Sequence, residues 1–172
     1  MSRLLAIYLA ICGLKRGPQD LPASRSLLYL SGTLYAATIW LYEIREGDVW
    51  TGLPTVILGI VTTWALYSSL LRFNEKEARL TQTLSASFGC NAIFNLAAAP
   101  IRWPWADAIL AKTEPPPGFG LMLFAIIIWS LVIEGHVVRN AIDTSLGKGM
   151  AIALAFAIIS VTVLVLVRSA LP

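Results

Sequence analysis

The chain of 172 residues has one histidine, His136, and only two cysteines, Cys12 and Cys90. Two thiols 78 positions apart do not make a disulfide framework. With a single histidine they cannot complete a structural zinc site either, so both read as small apolar fillers. A glycine-rich phosphate loop, a His-Glu-x-x-His pair and a serine nucleophile elbow are all missing. These absences point away from an enzyme, and neither a cofactor nor a metal is expected. An arginine ladder for voltage sensing and a Thr-Val-Gly-Tyr-Gly selectivity filter are missing too. Charge itself is scarce and confined: Ser26–Tyr42, Val49–Leu71, Leu80–Ile101, Pro115–Ile133 and Gly149–Val167 carry none.

Those five stretches are 17 to 23 residues long, and about 20 predominantly apolar residues cross a bilayer as a helix. The expected fold class is therefore all-α, a polytopic membrane bundle with five transmembrane helices and a short N-terminal interfacial helix. One membrane domain covers residues 1–172, with an interfacial segment at 1–17 and spans near 26–42, 51–71, 80–100, 118–138 and 149–168. None of the connecting segments approaches the roughly 50 residues of a soluble domain. Leu4–Leu14 is too short to span and reads as a helix at the membrane surface, with a short half-inserted helix as the alternative. Lys15-Arg16 directly after it, with a poor small-x-small pattern, argue against a cleaved signal peptide. Gly17-Pro18 and Leu21-Pro22 break this helix, and Ser24 or Ser26 can cap the first span. Pro54 is expected in the first turn of the second span and Pro100 with Pro104 at the end of the third. Pro115-Pro116-Pro117-Gly118 favours an extended lead into the fourth. Small residues four apart, at Gly32/Ala36, Gly59/Thr63, Ser85/Gly89 and Ala151/Ala155, permit close helix approach.

The loops orient the bundle. Arg3, Lys15, Arg16 and Arg25, then Arg72, Lys76 and Arg79, then Arg139 and Lys148 fall on one side; Arg45, Arg102, Lys112 and Arg168 fall on the other. Cytoplasmic loops retain Lys and Arg. The N-terminus is expected in the cytoplasm and the C-terminus outside, in the cell inner membrane. Tyr42, Trp50, Trp103 and Trp105 lie near the outer ends, where such rings prefer the headgroup level. The basic residues are too scattered to track a nucleic acid.

Two regions hold the candidate site residues. In the third span Thr83, Ser87, Asn91 and Asn95 recur every four residues, with Gln82 and Ser85 close by. An unpaired amide in hydrocarbon costs several kcal/mol, so Asn91 and Asn95 should face other helices. The second region closes the fourth span. At 100° per residue His136, Arg139, Asn140 and Asp143 share one face, with Glu134 about 160° away from His136. Ionisable groups inside or near a membrane helix are functional candidates, although near a helix end they can also reach the interface or pair with each other.

Three motifs carry a resemblance. They are Gly17-Pro18-Gln19-Asp20-Leu21-Pro22 before the first span, Arg79-Leu80-Thr81-Gln82-Thr83-Leu84 with Gly89 and Asn95 beyond it, and Trp129-Ser130-Leu131 followed by Gly135-His136-Val137-Val138-Arg139-Asn140-Ala141. Together the layout resembles the Yip-type family of membrane proteins in its bacterial branch. The resemblance implies a five-span bundle without catalytic residues; eukaryotic members act in membrane trafficking with small GTPases, and no functional residue is carried over from them. The expected function is that of a non-enzymatic integral membrane protein, a scaffold or accessory subunit of a membrane complex acting through helix–helix contacts. The alternative is a small transporter or channel component with a polar path along spans three and four, past Asn91, Asn95, His136 and Asp143. The expected partners are the lipid bilayer and other membrane proteins or a second copy, with no nucleic acid.

Overall fold

The computed structural model describes residues 2–46 and 49–170. Gly47 and Asp48 of the first loop lie outside it, as do the side chains of Arg45 and Trp50 on which part of the orientation argument rests. Among the described residues the chain forms six α-helices and no strand: α1 Ser2–Cys12, α2 Arg25–Glu46, α3 Val49–Phe73, α4 Leu80–Leu110, α5 Phe119–Ile142 and α6 Leu146–Ala170. Single 3-10 turns at Pro18–Asp20 and Glu77–Arg79 lead into α2 and α4. Within α3 to α6, the segments Gly52–Phe73, Glu77–Leu110, Phe119–Ile142 and Leu146–Ser169 are long and apolar enough to cross a membrane. Helix α2 has 22 residues, about 33 Å at 1.5 Å per residue, but its tyrosines, threonines and serines keep it below that standard.

The outer surface carries the apolar residues. Ile158, Val161, Val165 and Leu166 of α6 and Leu121, Phe124 and Ile127 of α5 are 58–74% exposed. Water would penalise so large a patch, whereas lipid tails do not. The interior is built on α4, which packs against α1, α2, α3 and α5. Every residue from Thr83 to Cys90 is buried, and most of them are small. A helix buried all round sits at the centre of its bundle. α2 pairs with α3, and α5 with α6.

One end of the bundle carries Lys15, Arg16, Arg25, the α3–α4 turn and the α5–α6 turn, and is called the basic end below. The other is the opposite end.

Several helix limits differ from expectation. α4 runs through Pro100 and Pro104 and ends at Leu110. A proline inside a helix removes one hydrogen bond, yet membrane helices tolerate it where neighbours satisfy the freed backbone. The carbonyl that Pro100 leaves without its helical donor is that of Leu96; beside it, Tyr42 of α2 donates to the carbonyl of Asn95. Pro54 lies inside α3, which already begins at Val49, and not in its first turn. Helix α1 packs on the bundle: Ile11 is fully buried, and Ile7 and Tyr8 join the core with Leu84 and Phe88. Ser24 caps α2 through a bond from the Leu27 amide at 3.4 Å. The breaks after α1, α3, α4 and α5 each use a residue with positive φ, namely Leu14, Glu75, Lys112 and Asp143, and none of these is glycine.

A close backbone approach joins α5 to α6 at two glycines outside the expected small-residue pairs. A Cβ on Gly149 would stand 2.3 Å from the Gly135 carbonyl oxygen, and one on Gly135 would stand 2.9 Å from the backbone of Met150. Backbone cannot yield as a side chain can, and overpacking of this kind costs about 1–3 kcal/mol. Gly149→Ala should therefore lower the thermal unfolding temperature in detergent. Gly147→Ala, where nothing lies within 4 Å, should leave it unchanged or raise it. Equal effects from the two variants would contradict the close approach.

Candidate functional site

The polar stripe of α4 fixes the site. Residues four apart lie one above another on a helix, and each member of the stripe has a defined partner. Thr83 turns back to the carbonyl of Arg79 at 2.9 Å. Ser87 donates to Glu134 Oε1 at 2.7 Å. Asn91 donates to the carbonyl of Ser87 at 2.9 Å and reaches Glu134 Oε2 at 3.3 Å. Asn95 donates to Thr38 of α2 at 3.1 Å.

Glu134 receives a further bond, from the Tyr67 hydroxyl of α3 to Oε1 at 2.6 Å. Donors from α3 and α4 thus converge on one carboxylate of α5. The ring of Tyr67 is fully buried and is held edge-on by Phe156 of α6, with centroids 5.4 Å apart. Tyr35 of α2, stacked on Phe88 at 5.5 Å, lies close enough to interact electrostatically with Glu134. Glu134 stands eight residues before Ile142 at the end of α5, about 12 Å into the helix at 1.5 Å per residue. Its two oxygens are unequal: Oε1 accepts two short bonds, while Oε2 has a single long one. Oε2 is therefore the position with room for a proton.

The other candidates do different work. His136 Nε2 lies 2.6 Å from the Arg16 carbonyl. A carbonyl only accepts, so the imidazole donates through Nε2. The Asn140 amide donates to the His136 carbonyl at 2.7 Å. Gln82 donates to the Leu21 carbonyl at 2.6 Å. His136 and Gln82 thus fasten the non-helical stretch between α1 and α2 to the bundle. Arg139 does not join them: its Cβ lies on the α6 side, against Gly149. Asp143 pairs with Lys76 at 2.6 Å and Arg79 at 2.9 Å, tying the α3–α4 turn to the end of α5. Glu134 and His136 do point apart, towards α3 and α4 and towards the N-terminal stretch respectively. The expected common face of His136, Arg139, Asn140 and Asp143 divides among three partners.

Residues that sequence reasoning passed over complete the picture. Tyr67 and Tyr35 carry no periodic signal. At the opposite end Arg168 of α6 bonds Glu43 of α2 at 2.6 Å and Thr55 of α3 at 3.0 Å, and the Arg102 guanidinium lies 4.1 Å from the centre of the Tyr42 ring. The two cysteines, far apart in sequence, both belong to the core, Cys90 within its central cluster and Cys12 packed against it, and both are free.

The Asp143 cluster has a pH signature. Its hydrogen bond from Arg79, joined by that from Lys76, holds the Asp143 carboxyl down at about 2, below the ordinary value near 4. A carboxyl lowered on folding stabilises fully above its unfolded value and loses that contribution as pH falls through the folded one. The pair is open to solvent, so the effect is small. Thermal unfolding of wild type minus that of Asp143→Asn should be constant above about pH 5 and shrink between about pH 4 and pH 2. A difference that is unchanged across this window would remove the pairing from the stability of this end. No family model matches this sequence, and comparison with curated proteins and with solved structures finds no relative.

Proposed function

We propose that the chain is a small membrane transport component in which Glu134 takes up and releases a proton inside the helix bundle. One observation carries this reading: a carboxylate about 12 Å inside a membrane-spanning helix, met by hydroxyl and amide donors from two other helices, with Oε2 left lightly engaged. Ionisable groups at such depth are costly and mark proton or ion pathways. This favours transport over the scaffold role expected from composition, because a purely packing contact needs no ionisable group. Asn91 is part of this centre and Asn95 lies one turn beyond it. His136 and Asp143 are not on the path in this reading, since they fasten the basic end.

The reading has a direct test. In the full chain reconstituted in lipid, the infrared band of a protonated carboxyl should titrate reversibly and vanish in Glu134→Gln. Proteoliposomes with a potassium-driven potential should acidify or alkalinise faster than empty vesicles, with at least a tenfold loss in Glu134→Gln. A band that never titrates, or flux equal to that of empty vesicles, would defeat the proposal.

Five crossing helices, with the N-terminus in the cytoplasm, belong to the same proposal. Average hydropathy undervalues α2 because its polar groups are satisfied internally. Ser31 bonds the Leu27 carbonyl at 2.9 Å and Thr38 the Tyr35 carbonyl at 2.8 Å, both side chains being buried, while Leu30, Leu34 and Leu41 face outward. Single cysteines placed at Ala23 and Gly47, on either side of α2 in the sequence, in a chain with Cys12 and Cys90 replaced by Ala, should then react with impermeant thiol reagents from opposite sides. Reaction from the same side would make α2 a surface helix and the spans four.

A further inference from the structure

A cavity of about 260 Å³ opens between α2, α3, α4 and α6. Its walls change along the membrane normal. Glu43, Thr55 and Arg102 stand towards the opposite end, Ser160 of α6 stands further in, and Tyr35 with Asn95 stands deepest. Hydrocarbon does not reward polar groups at this depth, and side chains of this kind inside a membrane protein face a partner or water. The volume suffices for several water molecules at about 30 Å³ each.

The deep end of the cavity lies one helical turn of α4 from a residue that holds the carboxylate. Asn95 lines the cavity, and Asn91, one turn away on the same face of α4, donates to Glu134. Tyr35 lines it too and interacts with Glu134. The titratable groups around Glu134 are Tyr35 from α2, Tyr67 from α3 and Cys90 from α4. Towards the basic end the surroundings are different. Leu71 follows Tyr67 by one turn and Val137 and Val138 follow Glu134 by about one turn, all three fully buried; Leu84, just before Ser87, is 1% exposed. Apolar side chains flank the carboxylate on that side, and at the basic end itself a second cavity of about 210 Å³ is lined by Arg79, Gln82, Thr83, Asn140 and Asp143.

We infer that this cavity is the aqueous access by which Glu134, in the conformation described, exchanges its proton towards the opposite end of the bundle, with Tyr35 and Asn95 on the cavity wall nearest the carboxylate. The inference rests on the reading of Glu134 as a proton site and adds the direction and the route. A hydronium ion in the cavity gives up one proton, an O–H bond forms at Glu134 Oε2, and the same bond breaks on release.

The test uses the full chain in lipid nanodiscs, at a pH where the Glu134 carboxyl band is present, and reads hydrogen–deuterium exchange of that band. With Cys12 and Cys90 replaced by Ala, Ser160→Cys should react with a positively charged methanethiosulfonate, and exchange should then slow at least tenfold. Ile128→Cys on the exposed face of α5 should neither react at a comparable rate nor slow exchange. Modification of Ser160→Cys without slowing overturns the route, and failure of Ser160→Cys to react overturns the aqueous cavity. Should the cysteine-free chain misfold, Leu164→Trp in the native chain fills the same cavity, and unchanged exchange there also overturns the route. A Glu134 band that never titrates sinks the proton-site reading itself, whereas labelling of Ser160→Cys still reports separately on water in the cavity.

Discussion

Hydrocarbon offers no hydrogen-bond partners, so every polar group carried into it must be matched from within the bundle. Glu134 makes the heaviest demand of this kind. An acidic side chain at the centre of a membrane helix costs about 2.5–3.5 kcal/mol on insertion scales, and hydrogen bonds to a charged group return about 1.5–3 kcal/mol each. Two of its donors are four residues apart on α4, and the third is the fully buried Tyr67 of α3. Meeting all three fixes the rotation of α3, α4 and α5 about their axes. The small residues around them, Ala86, Gly89, Cys90 and Ala92, let the other helices close on α4 once that rotation is set.

The same constraint acts at the basic end with another result. Between α1 and α2 the backbone leaves the helical path, and its carbonyls need outside donors. His136 and Gln82 supply them to Arg16 and Leu21. The Asp20 carboxylate meanwhile accepts from the Gly17 amide at 2.9 Å. Polar residues of α4 and α5 therefore sort by depth. Those near the basic end hold backbone in place, and those further in gather around one ionisable group.

Part of this was legible before any coordinates. Four of the uncharged stretches are the apolar cores of α3 to α6, because a helix that meets lipid must be apolar over its whole length. The four-residue stripe from Thr83 to Asn95 and the divergence of Glu134 from His136 follow from helical geometry alone. Which residue meets which does not. Tyr67 and Thr38 belong to helices whose rotation is set by tertiary contact, and the sequence carries no period for it. Helix ends were misjudged because prolines were given the weight they have in water. Pro100 and Pro104 lie within α4, while α1, α3, α4 and α5 are followed by non-glycine residues in the left-handed region that no turn signal announces. The meeting of Gly135 with Gly149 depends on how helices cross, which residue spacing within one helix cannot reveal.

A hydrogen-bonded node that only glues helices gains from being dry on all sides, since excluded water strengthens each bond. Here the two sides of the node differ. Val137, Val138, Leu71 and Leu84 flank it towards the basic end, while the face of α4 that holds Glu134 through Asn91 continues to Asn95 in a polar cavity wall. Cohesion could be had more cheaply with an asparagine or a serine at position 134, because an uncharged group needs fewer donors and survives an imperfect shell. A group that can change its charge, flanked by apolar side chains on one side and approached by polar groups from the other, suits exchange with that second side. The asymmetry around the carboxylate, more than the carboxylate itself, separates the proposed proton site from an ordinary packing contact.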